Sequence, residues 1–168
     1  MHRVQAEGRA ALTRLRGRAP FFAIAAAVVA IDKITKLIVV STVREGDHVR
    51  VFGDWLVISH IRNSGAAFGT LRGFGGVLAM VALAGVVAFA VVVWRRPTTV
   101  VGIAAGLVAG GAMGNLVDRI VRGTVVDFVD FRFWPAFNAA DSAITMGAIL
   151  LVWFGLEKPG KRDAHRSE

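Results

Sequence analysis

Apolar residues run almost unbroken through four stretches of this chain of 168 residues. They cover about 21–42 (FFAIAAAVVAIDKITKLIVVST), 75–94 (GGVLAMVALAGVVAFAVVVW), 98–120 (TTVVGIAAGLVAGGAMGNLVDRI) and 138–157 (NAADSAITMGAILLVWFGLE). Each is long enough to cross a hydrocarbon core of about 30 Å as a helix of roughly 20 residues. In lipid a helix satisfies its backbone polar groups within its own segment. The pattern therefore predicts four transmembrane helices.

Between the first two stretches the period changes. In DHVRVFGDWLVISHIRNSGAAFG, Val49, Val51, Leu56 and Ile58 alternate with other residues, and Gly46, Gly53 and Gly65 punctuate the run. That spacing predicts two or three short strands joined by tight turns, a small β-rich loop over about 43–74. FGTLRGFGG, at its end, is expected to be a short interfacial helix or a loop. Residues 1–19 are polar and Arg-rich, and are expected to be frayed or interfacial. The third stretch is dense in small residues, with Gly102, Gly106, Gly110, Gly111 and Gly114, which lets helices approach closely in lipid. No internal repeat is visible. The expected fold is a single domain over 1–168: an all-α membrane protein of four transmembrane helices with a small extracytoplasmic β-rich loop domain.

Composition agrees, with 55% of residues hydrophobic. The net charge of +8 does not imply a nucleic-acid partner, because the basic residues are distributed by topology. Arg3, Arg9, Arg14, Arg16 and Arg18 precede the first stretch, Arg95 and Arg96 follow the second, and Lys158, Lys161, Arg162 and Arg166 follow the fourth. Four spans put these three regions on one side, and the positive-inside rule makes it the cytoplasm. Both termini are then cytoplasmic, and loops 43–74 and 121–137 lie outside. The chain has no cysteine, so disulfide and thiolate chemistry are excluded. The first stretch is read as a retained span, since its apolar run is interrupted by DKITK and is too long for a cleaved signal peptide.

Against this background, polar residues stand out. Asp32 and Lys36 are four apart and share a helix face, as an internal ion pair or as support for a site. RNSGAAFG, 62–69, reads as a Gly- and Ala-rich turn carrying Asn63 and Gly65. GGAMGNLVDRI puts Asn115, Asp118 and Arg119 within about one helical turn. This is either a polar helix end steadied by an Asp118–Arg122 pair or a set suited to an extended peptide backbone. In FNAADSA, Asn138 is a good N-cap, and Asp141 is then the third helical residue. Asp127 lies between valines and a phenylalanine with no basic residue three or four positions away. It is either a loop acid meeting Arg122 or Arg132 through a turn, or an enclosed acid pushed toward its neutral form.

Two carboxylates sharing a site cannot both ionise easily, so one can activate water while the other protonates a carbonyl. A pair of acids near a membrane surface points to aspartic-type peptide hydrolysis. Ser64 and Ser142 have no His or Lys beside them, and His48 and His60 alone are poor evidence for a metal. No metal or other cofactor is expected. Composition leaves Asp118, Asp127 and Asp130 all in contention. A proton-coupled carrier or an assembly factor is the competing class, since intramembrane acids suit transport too. Carriers often show internal repeats, and none is evident.

DKITK, RNSGAAFG, GGAMGNLVDRI, GTVVDFVDF and FNAADSAI, in this order over about 30–155, closely resemble the bacterial lipoprotein signal peptidase family, or signal peptidase II. The stretch between VVDF and FNAAD is short, which bears on the loop over the site. The resemblance implies an aspartyl endopeptidase of the bacterial cytoplasmic membrane, with its active site near the extracytoplasmic face. Its substrates would be prolipoproteins, cut just before a diacylglyceryl-modified cysteine, with membrane lipid as the other partner and a monomer as the working form. By motif, the catalytic pair falls on Asp127 and Asp141. Support falls on Asp32, Lys36, Asn63, Gly65, Asn115, Arg119 and Asn138, with Asp118 in a supporting role. Asp130 is then expected to be a surface or loop acid that the cut does not need. Within the pair, Asp141 sits where a helix dipole favours a carboxylate, and Asp127 among apolar neighbours.

Overall fold

A computed structural model describes residues 2–64, 75–95 and 98–155. Gly65, the FGTLRGFGG turn up to residue 74 and the basic tail from residue 156 lie outside the described residues. The elements run α1 (His2–Thr42), β1 (His48–Phe52), β2 (Leu56–Asn63), α2 (Gly75–Arg95), α3 (Thr99–Arg122), β3 (Val125–Asp130) and α4 (Ala139–Gly155).

Helices occupy all four apolar stretches, with one difference at the start. The Arg-rich segment is not frayed; it continues α1 back to His2 and passes through Pro20. Alanine, leucine, arginine and glutamine in that segment are all good helix formers. Of the four, α3 is the one helix among the described residues that is long and apolar enough to cross a membrane by length and composition, and Ala139–Phe154 is a shorter apolar helix. In α1 the charges of Asp32, Lys33 and Lys36 interrupt the apolar run.

Local chemistry sets the ends of α3. Thr98 is extended and its hydroxyl accepts from the Val101 N–H at 3.3 Å. Gly123, at φ 72°, closes the helix with its N–H on Arg119 O. α3 is the central helix and packs on α1, α2 and α4. Its small residues explain how. A Cβ on Gly110 would lie 2.7 Å from Ala25 O of α1, and one on Gly111 would strike Ala140 O of α4. Backbones meet there with no room for a methyl group.

Burial reverses the usual pattern of a soluble protein. Asp32, Lys36, Asp118 and Asn138 are buried, while Ile31, Ile34, Leu37, Ile38, Leu83, Val87, Ile149 and Val152 are exposed. The helices turn apolar faces outward and close around charge.

The sheet has the order β1-β2-β3 and is antiparallel throughout. β1 and β2 are the expected hairpin, turning at Gly53 with φ 52°. β3 comes from VVDFVD, a strand that the outer-loop pattern did not anticipate. It pairs with β2 through Ile61↔Asp127 and Asn63↔Val125, so loops 43–74 and 121–137 meet at one end of the bundle. Val126 and Phe128 of β3 pack on Val39 and Val43 near the end of α1. Period-two alternation turns Asp127 to the other face.

Candidate active site

Five elements, α1, β2, α3, β3 and α4, deliver one continuous polar network. It starts in α1, where Asp32 and Lys36 pair at 2.7 Å across one turn, as their spacing predicts. Lys36 is 1% exposed, and each of its three donors has an acceptor: Asp32 Oδ2 at 2.7 Å, Asp118 Oδ2 at 2.7 Å and Asn115 Oδ1 at 2.9 Å. Asp32 Oδ1 accepts the Ala140 N–H at 3.1 Å, which ties α1 to the first turn of α4. The buried charges of Asp32 and Lys36 are tolerable because both are paired and hydrogen-bonded.

Asp118 takes both lysines. Lys33 pairs with its other oxygen and also donates to Gly114 O at 3.4 Å. The expected Asp118–Arg122 pair is therefore not formed. Lys36 is buried inside the bundle and Lys33 is half-buried at its edge, where attraction is less screened than in solvent, whereas Arg122 is exposed. Lys33 was not singled out by the sequence, although it adjoins Asp32 in DKITK. Asn115 and Asp118 are both bonded within this network. Arg119 is half-buried and donates to Asn115 O at 3.5 Å.

Asn115 carries the network onward. Its carbonyl oxygen accepts from Lys36, and its amide nitrogen donates to Asp141 Oδ1 at 2.8 Å. Asp141 is the third residue of α4, as the capping pattern predicts. Its N–H donates to Asn138 Oδ1 at 3.0 Å, and the Asn138 N–H returns to Asp141 Oδ2 at 3.2 Å. This is a reciprocal capping arrangement.

Asn138 also holds the second carboxylate. Its Nδ2 donates to Asp127 Oδ1 at 2.7 Å, while Asn63 Nδ2 of β2 donates to Asp127 Oδ2 at 2.9 Å. Asp127 meets neither Arg122 nor Arg132. Burial pushes its pKa up to about 6; Asn63 and Asn138 oppose that rise, and the charge of Asp141 adds to it. Two carboxylates from different elements thus converge on one asparagine, each with both oxygens held by nitrogen donors.

Asp130 is excluded from this network, but it is no surface acid. It is buried and accepts from Ser59 Oγ at 3.0 Å and from the Arg132 N–H at 2.8 Å. Arg132 is at φ 63°, so Asp130 pins a left-handed corner after β3. Ser59 in β2 was not legible as its partner.

Comparison with known proteins agrees with the motifs. The family described as Signal peptidase (SPase) II matches residues 24–156. A lipoprotein signal peptidase of Rhodococcus jostii (strain RHA1) is 42% identical over 152 residues, covering 84% of this chain and 76% of that protein. The Moorella thermoacetica lipoprotein signal peptidase is 39% identical over 138 residues, covering 80% and 91%. A solved bacterial membrane enzyme superposes with a TM-score of 0.77 at 32% identity, covering 88% of this chain and 94% of that one. A second structure of that description gives 0.74 at 34% identity, covering 82% and 93%. With a family match across most of its length and relatives this similar over most of both chains, the protein belongs to the signal peptidase II family.

Proposed function

We propose that this protein is an aspartic endopeptidase of the bacterial cytoplasmic membrane. It removes the signal peptide from prolipoproteins by cutting before a diacylglyceryl-modified cysteine. Membership of a family of lipoprotein signal peptidases supports the substrate. The observation that carries the aspartic chemistry is the convergence of Asp127 and Asp141 on Asn138.

In this reading Asp141 is the base and Asp127 the first acid. Asp141 receives a backbone N–H at the positive end of α4, where a carboxylate is well held. Asp127, raised to about 6 by burial, more readily holds the shared proton. Asp141 takes a proton from water as the oxygen attacks the scissile carbonyl carbon, and Asp127 gives its proton to the carbonyl oxygen. On collapse the C–N bond breaks, Asp141 passes its proton to the leaving amine, and Asp127 recovers one from a hydroxyl of the intermediate. The two acids act as a coupled pair. In this reading Lys36, Asp32, Asp118, Asn115, Asn63 and Asn138 hold the dyad, and Arg119 meets substrate. By the motif RNSGAAFG, Gly65 would support the same site.

We read the chain as one domain that crosses the bilayer four times, at about 21–42, 75–94, 98–120 and 138–157, with both termini in the cytoplasm and the dyad near the outer face. The outward-turned apolar faces and the distribution of arginine and lysine support this topology. All the network residues come from one chain, which suits a monomer.

The test is cleavage of a diacylated prolipoprotein peptide by purified wild type, Asp127→Asn and Asp141→Asn. Only wild type should release the signal peptide. Normal turnover by either variant, or proton flux without cleavage, would sink the reading.

A further inference from the structure

Away from the dyad, the far end of the sheet carries a row of aromatic rings. Phe52 stacks on Trp55 with centroids 6.1 Å apart, and Trp55 stacks on Phe131 at 6.1 Å. Phe131 continues the row to Phe133 at 5.9 Å and to Phe137 at 6.0 Å. The row crosses from the β1–β2 turn to the segment after β3. Its outer members are open: Trp55 is 55% exposed and Phe133 is 79% exposed, with Trp134 exposed beside them. Guanidinium groups border it. Arg50 is 71% exposed and reaches Asp54 at 3.5 Å across solvent, and Arg132 lies 3.0 Å from His48 Nε2. An exposed pair of that kind contributes little and exchanges readily for another anion.

We propose that this row seats the sheet in the headgroup layer of an anionic bilayer. The inference rests on the proposal that the helices cross the membrane. Its arguments are depth and charge. Helical residues 21–42 rise about 33 Å, roughly one hydrocarbon thickness. The sheet packs on the last turn of that helix, where Val39 and Val43 meet Val126 and Phe128. The sheet therefore meets the helix at the level where a bilayer passes from acyl chain to headgroup, and the aromatic row lies on that sheet. Aromatic rings with a polar surround partition there, and arginine meets lipid phosphate there by paired N–H donors. The same strand joins the row to the site: Phe131 lies four residues beyond Asp127, about 13 Å along an extended chain. Seating the row fixes the height of the dyad relative to a substrate whose own anchor is a lipid.

The test uses the full chain in nanodiscs, with Trp55 as the sole tryptophan after Trp94→Phe, Trp134→Phe and Trp153→Phe. A companion protein keeps Trp153 alone. Phospholipids carry a spin label either shallow or deep in the acyl chain, and iodide serves as the aqueous quencher. The shallow label should quench Trp55 at least about twice as strongly as the deep one. Raising phosphatidylglycerol from none to about a third should strengthen that quenching, and Arg50→Gln with Arg132→Gln should remove the gain. If iodide reaches Trp55 and neither lipid label does, while a label quenches Trp153, this inference fails and the membrane topology stands. Protection of Trp55 by a prolipoprotein peptide but not by lipid would also overturn it, making the row a peptide dock. If no lipid label reaches Trp153 either, the membrane reading fails, and this inference with it.

Discussion

Asn115 donates from Nδ2 to Asp141 Oδ1 at 2.8 Å because its other end is already committed: Oδ1 faces the Lys36 ammonium at 2.9 Å. A buried cation in α1 thereby orients an amide in α3, which holds a carboxylate in α4. Asn115→Asp keeps the shape and replaces the donor with an acceptor. Cleavage should fall by about tenfold or more at neutral pH. Residual activity should rise as pH falls, because a proton between positions 115 and 141 restores the bond. A pH profile of kcat/KM on the diacylated peptide checks this.

Asp130 and Asp127, three residues apart, should separate by function. Asp130→Asn leaves one acceptor for the two donors from Ser59 and Arg132. It should retain most cleavage and lose about 1–2 kcal/mol of stability. Asp127→Asn should lose about 10²-fold or more in kcat. Paired rate and thermal-unfolding measurements distinguish the two variants.

Asp118→Ala removes the shared partner of Lys33 and Lys36. Breaking a buried pair from one side costs about 3–5 kcal/mol. The variant should unfold at clearly lower temperature than wild type in the same detergent, with Asp118→Asn intermediate.

Helix packing gives a contrast within one residue type. Gly111→Ala drives a methyl group against the backbone of α4, whereas a Cβ on Gly85 meets nothing within 4 Å. Gly111→Ala should lower the unfolding temperature markedly. Gly85→Ala should be neutral or stabilise by up to about 1 kcal/mol.

The raised pKa of Asp127 has a linkage consequence. Its folded value of about 6 exceeds the ordinary 3.8, so the folded state binds the extra proton between those values. This contribution to stability is fully present below about 3.8 and is lost as pH rises through about 6. Wild type should lose roughly 2 kcal/mol relative to Asp127→Asn between pH 4 and pH 7. Chemical unfolding of both proteins across that range measures the difference.

Much of the fold is local and was legible before any coordinates. Alternation and glycines marked the β1–β2 hairpin. Asp32 and Lys36 met across one turn, and Asn138 capped the helix with Asp141 at its third position, because contacts three or four residues apart follow from helical geometry. VVDFVD was not legible as a strand, since an edge can pair only once its partner is in place, and that partner, β2, lies in a different loop.

By itself the sequence determined the apolar stretches, the caps, the hairpin and the family motifs, all properties of neighbouring residues. Tertiary structure alone decided who meets whom. Lys36 reaches Asp118 across 82 residues and Ser59 reaches Asp130 across 71. Local spacing offered Arg122 as a partner for Asp118, and the family resemblance left Asp130 as a surface or loop acid. Both assignments changed for one reason. A buried carboxylate must find its donors wherever the packed helices and strands bring them, and the nearest cation in sequence has no claim if packing leaves it in solvent.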